Sequence, residues 1–202
     1  MQDSASSVWS FLNNGSIAAF LGAFFAFLLV AFTDWRRNRA RLKTLLAQVN
    51  ANARVIEPML EAITNSNFSL ILKTIKPTGA RGFRVSDMVT LKCELLDLIE
   101  EKQLLCLESI LHQMQGMNDQ LDQELDLAKK MYEKQDAEDA LKTFATVSDA
   151  LGRLYENMGA SLFRLQDIVA LFNKKQYDDI INAKHSREAY VQRAQERFTK
   201  KA

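Results

Sequence analysis

A chain of 202 residues with 26 lysines and arginines against 25 aspartates and glutamates has a formal net charge of +1, which argues against a dedicated polyanion binder. Two prolines and seven glycines are few for a loop-rich or sheet-rich fold. The two cysteines, Cys93 and Cys106, make no disulfide framework and fit a reducing compartment.

From Ser16 to Thr33 the chain carries no charged residue. Eighteen residues of helix rise about 27 Å, close to the thickness of a bilayer's hydrocarbon core. A core helix of a globular domain keeps a polar outer face, whereas this stretch is apolar all round. Trp9 and Trp35 flank it, as aromatics that seek the membrane interface do. A cleaved export signal has basic residues ahead of its apolar run, but here only Asp3 precedes it, and Asp34 and a basic cluster follow. The pattern predicts a permanent transmembrane helix over residues 16–34.

Arg36, Arg37, Arg39, Arg41 and Lys43 crowd the C-terminal side of this span. By the positive-inside rule, residues 1–15 form a short extracytoplasmic tail and the rest of the chain is cytoplasmic. The same five side chains suit anionic lipid headgroups. The pattern fits a bacterial inner membrane.

Ala18, Gly22 and Ala26 recur every fourth residue, the spacing at which small side chains let two helices approach closely in lipid. Beyond the span, Leu42, Leu45, Val49, Ile56, Met59 and Ile63 follow 3-4 spacing, with Asn52 in the vacant slot. This seam either forms a coiled coil with a second copy, where Asn52 would select register, or packs on the chain's own later helices. Glu57 and Pro58 suit the first turn of a restarted helix.

Residues 64–86 hold the clearest punctuation, Pro77, Gly79 and Gly82, beside Lys76, Arg81 and Arg84. They read as a linker with a basic turn, with room for a short element from Phe68 to Ile75. They lack the spacing of a phosphate-binding loop.

Ser86 or Asp87 is placed to cap one long helix running to about Lys134, with Gly116 as a bend. Asp136 opens another, on which Gly152 and Gly159 mark close helix contact. Residues 173–179 form a polar connection, and a last helix covers about 177–199, with Tyr190 and Phe198 toward the core. Residues 87–139 hold 14 acidic and 5 basic residues, whereas residues 184–202 hold 6 basic and 2 acidic. The last helix is therefore expected on the acidic middle one or near anionic lipid. No alternating strand pattern is present.

The expected fold class is all-α: a single N-terminal transmembrane helix followed by a cytoplasmic bundle of three to four long antiparallel helices. The domains are a tail over 1–15, the span over 16–34, a juxtamembrane helix over 35–63, the linker over 64–86 and the bundle over 87–202.

No catalytic, cofactor-binding or metal-binding constellation emerges. His112 and His185 are unpaired in sequence, and Glu108 with His112 lacks a third ligand. Asp119, Asp122 and Asp126 form a stripe without the glycine turn of a calcium loop. Cys93 and Cys106, 13 residues apart on one predicted helix, lie roughly 20 Å apart. Neither nucleic acid nor a small-molecule substrate is indicated. The functional expectation is a non-enzymatic, membrane-anchored scaffold that binds protein partners and forms homo-oligomers. The alternative is a membrane-perturbing defence or toxin effector whose spans cluster into a pore when triggered, although an uncharged span argues against a constitutive polar pore.

Overall fold

The structure, a computed structural model, describes residues 15–71, 82–133, 137–182 and 187–199. Every regular element among them is helical. The chain divides into two compact units, residues 1–44 and residues 45–202.

Helix α1 spans Gly15–Ala53. It is long and apolar enough to span a membrane. The turn after it closes with Val55 N–H donating to the Asn52 carbonyl at 3.0 Å. Helix α2, Ile56–Ile71, then restarts with Glu57 and Pro58 in its first turn, where a proline's missing N–H costs no intrahelical bond. Its helix extends well past Ile63, so the segment from 64 onward opens as helix rather than linker. The turn residues Pro77 and Gly79 lie outside the described residues.

Residues 82–85 are extended and lead into α3, Ser86–Glu94. Val85, not Ser86 or Asp87, occupies the cap position, and no side chain caps the helix. The long helix expected from Asp87 onward is in fact two. A turn over residues 95–98 separates α3 from α4, Glu101–Glu133. It buries Leu95 and Ile99 while Leu98 and Ile99 donate back to the Leu95 carbonyl at 2.9 and 3.1 Å. Cys93 and Cys106 thus sit on different helices, and Cys93 is exposed while Cys106 is buried. Helix α4 passes through Gly116 without interruption.

Helix α5, Ala137–Asn173, ends in a Schellman motif. Gln176 N–H donates to the Leu171 carbonyl and Lys175 N–H to that of Phe172, both at 3.0 Å. Lys175 takes the left-handed position with φ of 59°. Helix α6 over Tyr177–Asn182 and helix α7 over Arg187–Thr199 follow, within the stretch expected as the last helix; residues 183–186 lie outside the described residues.

Within the second unit α5 is central, packing on α2, α4, α6 and α7. Its apolar stripe, with Leu151, Tyr155, Met158, Leu162, Leu165 and Ile168, is buried, as are Leu107, Ile110, Met114 and Met117 of α4. The basic last helix packs on α5 and α2, where Arg193 pairs with Asp167 at 3.2 Å and Arg197 with Glu57 at 2.7 Å. Of the two close glycines expected on α5, only Gly159 meets a neighbour: a Cβ there would lie 2.8 Å from Phe198 Cζ, whereas one at Gly152 meets nothing within 4 Å.

Candidate functional site

The first unit presents an apolar surface to its surroundings. The most apolar 18-residue window of the helix has a mean hydropathy of 2.1 and is 0% buried. Phe20, Phe25, Phe27 and Leu29 are each 64 to 70% exposed, a burden that a water-facing helix does not carry. Thr33, the one hydroxyl-bearing residue between Ile17 and Trp35, donates it to the Val30 carbonyl at 2.8 Å, so it asks nothing of the solvent. Trp35 stacks on Phe32 with centroids 5.9 Å apart, and the Arg39 guanidinium lies 5.4 Å from the Trp35 ring centroid. This is an interface aromatic next to a cation. Arg36, Arg37, Arg39 and Lys43 are exposed, and Arg41 is half-buried. Trp9 lies outside the described residues.

Ala18, Gly22 and Ala26 are all exposed, and a Cβ at Gly22 would meet nothing within 4 Å. Leu42 is half-buried. The second unit treats its share of the seam differently. Leu45 and Val49 are fully buried and Asn52 is 6% exposed. The Asn52 carboxamide donates to the Arg84 carbonyl at 2.9 Å and accepts from the Arg84 N–H at 3.1 Å. Nδ2 also lies 3.0 Å from Met88 Sδ. Within the single chain, Asn52 is thus satisfied by the extended segment before α3.

Asn118 of α4 holds the adjacent residue in the same manner, accepting from Phe83 N–H at 2.7 Å and donating to its carbonyl at 2.9 Å. A Cβ at Gly82 would stand 2.6 Å from Asn118 Oδ1, which explains the glycine. These two asparagine clamps were not evident from sequence, because their partners are backbone groups more than thirty positions away.

Among the described residues no group of three or more His, Cys, Asp or Glu side chains is placed to hold a metal. Glu108 pairs with Lys92 at 3.0 Å and His112 is exposed; His185 lies outside the described residues. Asp119, Asp122 and Asp126 are solvent-facing. Cys106 Sγ donates to the Tyr177 carbonyl at 3.7 Å; burial, with Asp178 nearby, pushes its thiol pKa up, the opposite of a reactive thiolate. Glu124 is 2% exposed and accepts from Tyr155 Oη at 3.0 Å across the α4–α5 contact.

Tyr190 was expected in the core, and its ring is half-buried. Its hydroxyl donates to Asp167 Oδ2 at 3.1 Å, and Arg193 Nη1 reaches both oxygens of the same carboxylate at 3.2 and 3.4 Å. Burial, with the Asp167 charge adding to it, pushes the Tyr190 phenol up to about 12. No protein-family model, curated protein or solved structure matches the chain.

Proposed function

We propose that the chain is a single-pass membrane protein of a bacterial inner membrane, with the residues before the span outside and the helical domain in the cytoplasm. One observation carries this reading: a helix window of mean hydropathy 2.1 with none of its residues buried. Water would exact about 25 cal/mol for each square ångström of that surface, and a bilayer relieves the cost. Orientation rests on Arg36, Arg37, Arg39, Arg41 and Lys43, all on one side of the span. These same residues would engage anionic headgroups.

The domain is read as a bundle of antiparallel helices. The order of its contacts supports this: Glu124 of α4 meets Tyr155 of α5, while Cys106, earlier on α4, meets the later Tyr177. It acts as a non-enzymatic scaffold for protein partners, for which Leu96, Leu98 and Leu105, exposed near the α3–α4 turn, offer an apolar footing. Self-association is assigned to Ala18, Gly22 and Ala26. Leu45, Val49 and Asn52 are already covered by the chain itself and are not part of that interface.

Fractionation tests the anchor. The full chain should stay in the membrane pellet after alkaline carbonate, and protease added outside spheroplasts should spare residues 45–202. Release into the carbonate supernatant would end the reading. For the interface, Gly22→Cys in a Cys93→Ser background should give a disulfide dimer in membranes, and Ala26→Leu should abolish it.

A further inference from the structure

A cleft of about 300 Å³ opens where α4, α5 and α7 meet. Its polar wall comes from Gln120 on α4, Asn157, Ser161 and Arg164 on α5, and Arg187 and Tyr190 on α7. Among the described residues, two guanidinium groups line it and no carboxylate does. Arg187 Nη2 donates to the neutral Asn157 Oδ1 at 3.1 Å, so its charge is not balanced there. Arg164 is exposed and has no ion-pair partner among the described residues. The nearby Asp167 is already engaged by Tyr190 and Arg193.

Two arginine forks lining one cleft call for an oxyanion with several acceptor oxygens, and phosphate matches them best. The volume lies at the small end of ligand pockets, which favours a carrier of a few carbons over a nucleotide.

We propose that this cleft binds a phosphomonoester on a short carbon chain, with the phosphate held by Arg164, Arg187 and Ser161. The site is independent of the anchor and of any self-association. The same headgroup chemistry occurs in free glycerol phosphate and in phosphatidic acid.

The test uses the full chain in neutral-detergent micelles at constant ionic strength. Calorimetric titrations with inorganic phosphate and with glycerol 3-phosphate should both saturate, and Arg164→Gln should weaken both by about tenfold or more. Arg164 is exposed and has no ion-pair partner among the described residues, so its replacement should leave unliganded melting unchanged. It therefore decides the matter even if Arg187→Gln disturbs the start of α7. Saturation by the free ligands assigns a soluble source; an Arg164-dependent response only to micelles doped with phosphatidic acid assigns a lipid source. Either result supports the site. No saturable binding of any probe, or binding indifferent to Arg164→Gln, overturns it.

Discussion

The side chain of Asn118 pairs with both backbone polar groups of Phe83, accepting at 2.7 Å and donating at 2.9 Å. A carboxamide thus does for one residue what a neighbouring strand would do, and it fixes the extended segment that leads into α3. Asn118→Ala leaves the Phe83 N–H and carbonyl without partners beside a buried ring. The expected loss is about 1–3 kcal/mol of unfolding free energy. Asn118→Asp, which keeps the acceptor and loses the donor, should fall between the two. Denaturant titration of the full chain in detergent measures both.

The two glycines of α5 should respond in opposite directions. Gly159→Val drives a branched side chain into Phe198 and Ala194, which already stand 2.8 and 3.0 Å from an added Cβ; overpacking of this kind costs about 1–3 kcal/mol. Gly152→Ala meets nothing within 4 Å and removes a poor helix former, for a gain of about 0.5–1 kcal/mol. Melting temperatures of the pair should move apart.

Lys175 holds the left-handed position that ends α5, with φ of 59°. A side chain there costs roughly 1–2 kcal/mol of local strain, partly offset by the greater backbone entropy that glycine loses on folding. Lys175→Gly should raise stability by about 0.5 kcal/mol or more, read as a higher melting temperature. Lys175→Val, branched at Cβ, should lower it.

Alkaline pH should weaken the second unit through Tyr190. Its phenol titrates at about 12 in the fold against an ordinary 10.0, so between those values the folded state keeps a proton that the unfolded state has released. Stability is therefore fully present below pH 10 and falls as pH rises toward 12. The buried Cys106 thiol and the Tyr177 phenol, both raised, add to the same trend. Unfolding curves taken across this range should steepen in their pH dependence, and Tyr190→Phe should remove its share of the slope. An unchanged slope in Tyr190→Phe would remove Tyr190 from the account.

Helical periodicity and the uncharged run were plain in the amino-acid order because both are local patterns. The restart at Pro58 was equally legible, since proline acts on its own turn. The break between α3 and α4 was not: no glycine or proline marks residues 95–100, and the turn exists because burial of Leu95 and Ile99 outweighs helix propensity. Regional charge did not point to α5 and α2 as the helices that α7 packs on, because individual pairs such as Arg197 with Glu57 are made across 140 positions. The cleft was invisible for the same reason. Gln120, Arg164 and Arg187 belong to three helices, and no spacing rule connects them.

Because α1 after Thr44 spends its apolar face on its own chain, burying Leu45 and Val49 completely, folding and the proposed self-association draw on separate residues. Genetics should see that separation. If the proposed lipid-facing stripe joins copies, an allele that wrecks the core but keeps Gly22 would poison the wild-type protein in the same cell. An allele that wrecks both would be recessive, since its product cannot find a copy to spoil.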